Sequence, residues 1–372
     1  HGNLSVGLIA SKINLEGPLF SQNTTFNLSA RRTYYDILMQ PFIKIAAAEN
    51  DVKGAAFGYY FYDFNLKVAH RFSDKDRLFV SYYSGDDVIY SRFKEGSSSG
   101  SDYSSSDWMK LSMKLGNTVS AVRWNHVISN KLFINSSLTY TRYRYKVGVG
   151  AESYYNSPTY KSAMNTDLTY NSGIWDYAAK VDFDYTPNTN HDVKFGMDYV
   201  NHSFKPGVQV LKYDESDNNN ATKIDTVIGD KNVYSQELVM YIEDNFNIGP
   251  FIKANMGLNF SNYYVSGKYY PSIQPRISAR LLLNDKMSIK AGYAYMNQYI
   301  HLLSNNNISL PTDLWVPVTK RIDPMNSHQV SAGLFYELHN IADLSAEIYY
   351  KRMNNLLEYR DGTSFLGSST GW

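Results

Sequence analysis

The sequence predicts an all-β chain, an antiparallel transmembrane β-barrel with about fourteen or fifteen strands present. Three observations predict it. Apolar and polar residues alternate with period two over segments of about ten residues, as a barrel wall between lipid and lumen requires. Aromatic residues close the apolar faces near the segment ends, where membrane interfaces place them. Short and long connections alternate strictly along the chain, as periplasmic turns and extracellular loops do. A soluble β-sandwich shares the alternation but has no reason to keep the girdles or the parity.

The segments follow in order. Residues 3–17 hold one strand, or two short ones joined at Ala10–Lys12. Phe26, Leu28 and Ala30 then share a face opposite Asn27, Ser29 and Arg31. Tyr60, Tyr62, Phe64, Leu66 and Val68 oppose Asp63, Asn65 and Lys67. Leu132, Ile134, Leu138 and Tyr140 oppose Asn135, Ser137, Thr139 and Thr141. Trp175, Tyr177, Val181, Phe183 and Tyr185 oppose Asp176, Lys180, Asp182 and Asp184, and Val193, Phe195, Met197 and Tyr199 oppose Asp192, Lys194 and Asp198. Ile252, Ala254, Met256, Leu258 and Phe260 oppose Lys253, Asn255 and Asn259. Leu344, Ala346, Ile348 and Tyr350 oppose Asp343, Glu347 and Lys351. In each case the apolar set is expected to face lipid and the polar set the lumen.

The short connections are Ser21–Thr24, Ser73–Asp76, Ser129–Lys131, Pro187–Asn190, Asn247–Pro250, Asn284–Lys286 and His339–Ala342. The long ones are 33–54, 91–107, 148–170, 205–231, 262–274, 297–326 and the tail from 354. The Ser/Gly-rich Ser97–Ser106 and the polar Asp214–Asn220 are expected to be flexible loop within two of these, not domain linkers.

Composition narrows the classes further. Tyr 33, Phe 18 and Trp 5 with Cys 0 suit strands and exclude a disulfide-stapled fold. A net charge of +1 without a basic stripe argues against a nucleic-acid partner. No apolar run is long enough for a membrane helix, and the mean hydropathy of −0.40 is what alternating lipid and lumen faces average to. The partner is therefore outer-membrane lipid. The chain opens at His1 without Met and closes on Gly-Ser-Ser-Thr-Gly-Trp, 367–372, which has no alternation. It is expected to be a partial barrel, with strands missing downstream.

Two blocks carry a family resemblance. One is Gly-Asn-Leu-Ser-Val-Gly-Leu-Ile-Ala-Ser-Lys-Ile-Asn-Leu-Glu-Gly-Pro-Leu from residue 2, followed by Phe26–Tyr35 with Ser29-Ala-Arg-Arg-Thr-Tyr-Tyr-Asp36. The other is Leu303-Ser-Asn-Asn-Asn-Ile-Ser-Leu-Pro-Thr-Asp-Leu-Trp-Val-Pro-Val-Thr-Lys320. Together they resemble the barrel of TonB-dependent receptors of the Bacteroidota type. The resemblance implies a barrel of about 22 strands filled by an N-terminal plug. It implies active uptake of a scarce nutrient (siderophore, haem, corrinoid, peptide or glycan) across the bacterial outer membrane. It implies the plug and TonB as partners, and it leaves room for a surface lipoprotein. The plug, a TonB-contacting segment and the closing strands are not in this sequence, so 1–372 corresponds to part of the barrel domain. The alternative is a passive porin-type channel with a smaller complete barrel.

No catalytic arrangement stands out. The eight His residues are scattered, and no HExxH, CxxC, Walker or GxGxxG motif occurs, so an enzyme and a bound cofactor are not expected. Asp214, Asp217 and Asn218–Asn220 lack calcium-loop spacing, so no metal site is expected. By parity Arg31 faces the lumen, as a candidate contact for a plug carboxylate or an anionic ligand, with Tyr35 nearby; Arg32 points outward and suits a snorkelling role at the rim. The connection 297–326, stiffened by Pro311, Pro317 and Pro324, offers His301, Asp313, Trp315 and Arg321 as ligand or plug contacts, although Trp315 equally suits packing against a neighbouring loop. The inner faces offer Asp63, Lys67, Lys180, Asp182, Asp184, Lys194 and Asp198, whose mixed signs argue against selectivity for one charge.

Overall fold

Period-two alternation becomes one continuous antiparallel ladder. The computed structural model describes residues 1–49, 53–95, 103–229, 232–303, 314–338 and 342–358. In chain order the elements are β1 (Gly2–Val6), β2 (Ala10–Leu19), β3 (Ser21–Thr33), α1 (Tyr35–Leu38), α2 (Gln40–Glu49), β4 (Lys53–Arg71), β5 (Asp76–Glu95) and β6 (Ser104–Ser129). They continue as β7 (Leu132–Asn156), β8 (Lys161–Asn188), β9 (His191–Asp217), β10 (Ala221–Gly229), β11 (Val233–Ile248), β12 (Ile252–Val265), β13 (Lys268–Asn284) and β14 (Met287–Gln298). The last are β15 (Ile300–Leu303), β16 (Leu314–Pro317), β17 (Met325–Leu338) and β18 (Ala342–Asn354). Among the described residues the main sheet has 16 strands: all but β10 follow one path from β1 to β18, β10 lies off that path and pairs with β9, and β15 and β16 form a separate two-stranded sheet. Among the described residues no helix is long and apolar enough to cross a membrane, and the wall crosses with strands.

Register tests the facing assignments, because directly opposed residues on neighbouring strands lie on the same face. Leu28 pairs with Leu66 and Arg31 with Asp63. Ile134 pairs with Phe183 and Asn135 with Asp182. Phe183 in turn pairs with Phe195 and Asp184 with Lys194. Carried through β11, β12, β13, β14 and β17 to β18, the pairing keeps every apolar set on one surface and every polar set on the other. The apolar surface is left open, with Leu138, Tyr177 and Ile348 each more than 60% exposed, which is stable only against lipid.

The strands run well past the span. About ten residues cross a bilayer, yet β8 has 28 residues and β7 has 25. The connections 148–170 and 262–274, expected as loops, are mostly strand. β7 and β8 meet at a turn where Ser157 N donates to Tyr160 O, and β12 and β13 meet at Ser266-Gly267, both at positive φ as a two-residue hairpin turn requires. Likewise 205–231 is largely the hairpin of β9 and β10, which pair from Gly229–Val208 to Ala221–Ser216. Alternation fades there because neither face meets lipid, while backbone pairing continues regardless. Two further boundaries move: the first hairpin turns before Ala10, with Gly7 N on Ala10 O, and the second turns at Phe20, leaving Ser21–Thr24 inside β3. Part of the stretch expected to be flexible, Asp214–Asn220, is an ordered turn in which Asp217 Oδ1 accepts from the backbone N–H of Asn219 and Asn220.

Candidate functional site

Inside the arc, the connection after β14 does not stand away from the barrel. Its described parts, 299–303 and 314–318, pack on the inner face and are fastened at two places. At the first, Tyr263 of β12 and Tyr299 stack with ring centroids 4.9 Å apart and planes at 4°. Val265 and Val318 complete this buried cluster. Its hydroxyls are all used: Tyr263 Oη donates to Ser235 Oγ at 2.7 Å, Tyr299 Oη lies 2.6 Å from Ser261 Oγ, and Gln274 Nε2 donates to that same Ser261 oxygen at 2.7 Å. Tyr270 Oη donates to Thr319 O at 2.7 Å, which ties down the returning strand.

At the second fastening, Leu303 of β15 and Val316 of β16 pack on Met113, Tyr145, Val147 and Tyr170. Met113 pairs with Val147 and Val147 with Tyr170, so β6, β7 and β8 present one apolar row to the lumen. The sequence signal for it is Arg142-Tyr-Arg-Tyr-Lys-Val147, where the aromatic and apolar residues now take the inward parity and the cations the outward one. The polarity of the alternation inverts beyond the membrane, because there the outer face meets water or headgroups and the inner face meets a folded connection.

Below this cover the wall is polar. His202 is buried, with Nδ1 2.8 Å from Asp176 Oδ1 and Nε2 3.6 Å from Glu237 Oε2. Lys180 Nζ lies 3.2 Å from Asp182 Oδ1, which also accepts from Tyr241 Oη at 2.6 Å. Lys194 and Asp184 are 3.6 Å apart. Asp198 Oδ1 and Asn135 Oδ1 are buried without a hydrogen-bond partner among the described residues. Lys67 Nζ sits 5.5 Å from the Phe79 ring. The described residues contain no group of three His, Cys, Asp or Glu placed to hold a metal ion.

The residues singled out in the sequence fall in three places. Arg31 lies on the inner face but is already paired, with Nη2 2.6 Å from Asp63 Oδ2 and its guanidinium 4.8 Å from the Phe61 ring. Tyr35 begins α1 and stacks on Tyr59 at 6.3 Å. Arg32, pointing outward, pairs with Asp36 at 2.9 Å. In the folded-in connection His301 is 3% exposed, and burial alone pulls its pKa below the ordinary value. Trp315 is half-buried opposite Leu302 in the small sheet. Arg321 is exposed beyond it, and Asp313 lies outside the described residues. The structure thus places His301 and Trp315 on opposite faces of one small hairpin in the cover and leaves Arg31 and Tyr35 on the early strands. Sequence alone missed His202, Tyr263, Tyr299 and the apolar row, since their positions fall in stretches expected to be loop or at single sites without a motif.

A family model described as TonB dependent receptor-like, beta-barrel matches residues 14–370. This chain belongs to that family. The family places the wall in the bacterial outer membrane, with short turns to the periplasm and long connections outside. No curated protein matches the sequence. Among solved structures the barrel is similar to the RagAB peptide transporter, with a TM-score of 0.55, 9% identity, and coverage of 94% of this chain and 44% of that one. It is similar to the ferric-catecholate import receptor Fiu of E. coli K12, with a TM-score of 0.53, 11% identity, and coverage of 95% and 57%. It is also similar to BauA, the ferric preacinetobactin receptor of Acinetobacter baumannii, with a TM-score of 0.50, 12% identity, and coverage of 91% and 51%. At these identities the likeness is one of fold. The chain spans about half the length of the structures it matches.

Proposed function

We propose that this family member forms part of the barrel of an active importer, taking up a scarce nutrient across the outer membrane with energy relayed by TonB. The observation that carries the proposal is the inner wall itself. A connection packs inward and is fastened by two buried clusters, above a lumen face whose charges are mixed in sign and in part paired with one another. A passive channel needs an unobstructed path, whereas a receptor needs a cover that responds to ligand and a wall that holds a plug reversibly.

The domain organisation belongs to the same proposal. β1 and β18 end the strand path unpaired among the described residues, and in lipid each free N–H or C=O costs several kcal/mol. The two free edges support a wall completed by further strands, and the family resemblance of the blocks at 2–36 and 303–320 supports a plug domain that fills it. Inner-face groups such as Asp63, Lys67, Lys180, Asp182, Asp184, Lys194 and Asp198 would then contact the plug. His301, Asp313, Trp315 and Arg321 would contact plug or ligand from the cover, and Arg31 and Tyr35 from the early strands. The blocks at 2–36 and 303–320 support a receptor of the Bacteroidota type, a reading that leaves room for a surface lipoprotein partner.

The test is growth and labelled uptake in a deletion strain complemented with the full-length gene. Single iron, haem, corrinoid, peptide and glycan sources would be supplied at limiting concentration, with TonB present or absent. The proposal expects saturable uptake of one class, lost without TonB. Uptake that is linear in concentration and indifferent to TonB would establish the passive channel instead.

A further inference from the structure

The outer face turns cationic where the apolar band ends. By register Asp86, Lys114, Arg142, Arg144 and Lys146 all lie on the same surface as Leu66, Leu138 and Tyr177. On β7 the apolar face runs Leu132, Ile134, Leu138 and Tyr140, and the cations begin at the next outward position, Arg142. That distance matches the roughly ten residues of a crossing counted from the periplasmic turn. The cations therefore sit at the boundary between hydrocarbon and headgroups on the extracellular side. Arg142 lies beside the girdle residue Trp175, its guanidinium 5.9 Å from the ring.

One carboxylate serves part of this cluster. Asp86, with a side chain only 1% exposed, accepts from Arg144 Nε at 3.0 Å, from Lys114 Nζ at 3.2 Å, and from the Tyr62 hydroxyl. Its charge is spent on Arg144 and Lys114. Lys146 is directly opposite Lys114, a like-charge pairing that destabilises a sheet unless an anion lies between. Among the described residues neither Lys146 nor Arg142 has a carboxylate partner, and Arg142 Nε is buried without a hydrogen bond. Farther out Lys110 pairs with Glu152, so that acid does not reach the cluster. Four cations against one acid leave a surplus of three positive charges at headgroup depth, 4 − 1 = +3.

We infer that this patch holds the phosphate groups of an outer-leaflet glycolipid of the lipid A type, with its acyl chains against the apolar band below. Paired phosphates would lie between Lys114 and Lys146 and reach Arg142, relieving the like-charge opposition and giving the free Nε an acceptor. The leaflet follows from the orientation, in which the cations lie on the side of the long connections. Periplasmic-leaflet lipids do not reach it.

The test is native mass spectrometry of the full-length receptor in nanodiscs of neutral phosphatidylcholine containing bisphosphorylated lipid A. Wild type is expected to retain the glycolipid. R142Q/K146Q, which breaks no ion pair among the described residues, is expected to lose about tenfold or more in occupancy. K75Q/K286Q, which removes two cations at the periplasmic turns, should keep wild-type occupancy. R142K/K146R should restore binding, which separates lost charge from lost fold. Unchanged occupancy in R142Q/K146Q would overturn the assignment. So would equal retention of dephosphorylated lipid A, or equal competition by phosphatidylglycerol.

Discussion

Truncating Leu303 to Ala probes the cover directly. Leu303 is 2% exposed and packs with Val316 on the apolar row of β6–β8, but it takes no part in the main ladder. Its loss should therefore weaken docking of the connection and leave the barrel wall intact. A buried Leu→Ala change costs about 2–5 kcal/mol, and taking about 3 kcal/mol lowers the docked-to-open ratio roughly 150-fold. Because the chain has Cys 0, Val316→Cys introduces a single thiol at a site only 5% exposed. In that background L303A should raise the maleimide labelling rate by up to two orders of magnitude, since labelling follows the open population when reclosing is fast. The matched change L258A, on the open lipid face, should leave the rate alone. An unchanged rate in L303A would refute the claim that these contacts hold the cover.

Two further outcomes follow from single sites. Burial depresses the His301 pKa below its ordinary 6.5, so docking is fully stable above that value and loses stability as pH falls through it toward the depressed one. V316C labelling, normalised to an exposed thiol, should therefore rise between about pH 7.5 and 5.5, and H301Q should flatten the profile. At Gly196 a Cβ would lie 2.5 Å from the backbone oxygen of Val181 and 2.9 Å from Tyr241 Cε1, so G196A should destabilise the wall by about 1–3 kcal/mol. The folded band on unheated gels measures this, and G292A, whose nearest contact is 3.5 Å, is the control.

The wall was legible in the sequence because lipid imposes a rule that each strand must obey alone. Phe64, Leu66 and Val68 on one strand and Phe183 and Tyr185 on another face the same medium, so both carry the same pattern. The rule lapses beyond the membrane, where residues 148–170 and 205–231 read as loop although most of them pair as strand. Backbone hydrogen bonds need no particular side chains, so ladder without lipid leaves little trace in composition. The cover was only partly legible: prolines and Trp315 marked 297–326 as ordered, but not which way it folds.

By itself, then, the sequence determined which face meets lipid on the strands where alternation is clear, that the chain crosses about fourteen or fifteen times, and that Arg31 and Arg32 point apart. Each of these depends on period two and on neighbours within a few residues. Only the tertiary structure decided that Tyr263 meets Tyr299, that Leu303 reaches Val147, and that Asp86 joins Arg144. The first two pairs join a cross-lumen connection to the wall, and the third spans three strands through their register. Curvature and register are set by the whole ladder, so no local stretch of residues encodes which side chains they bring together.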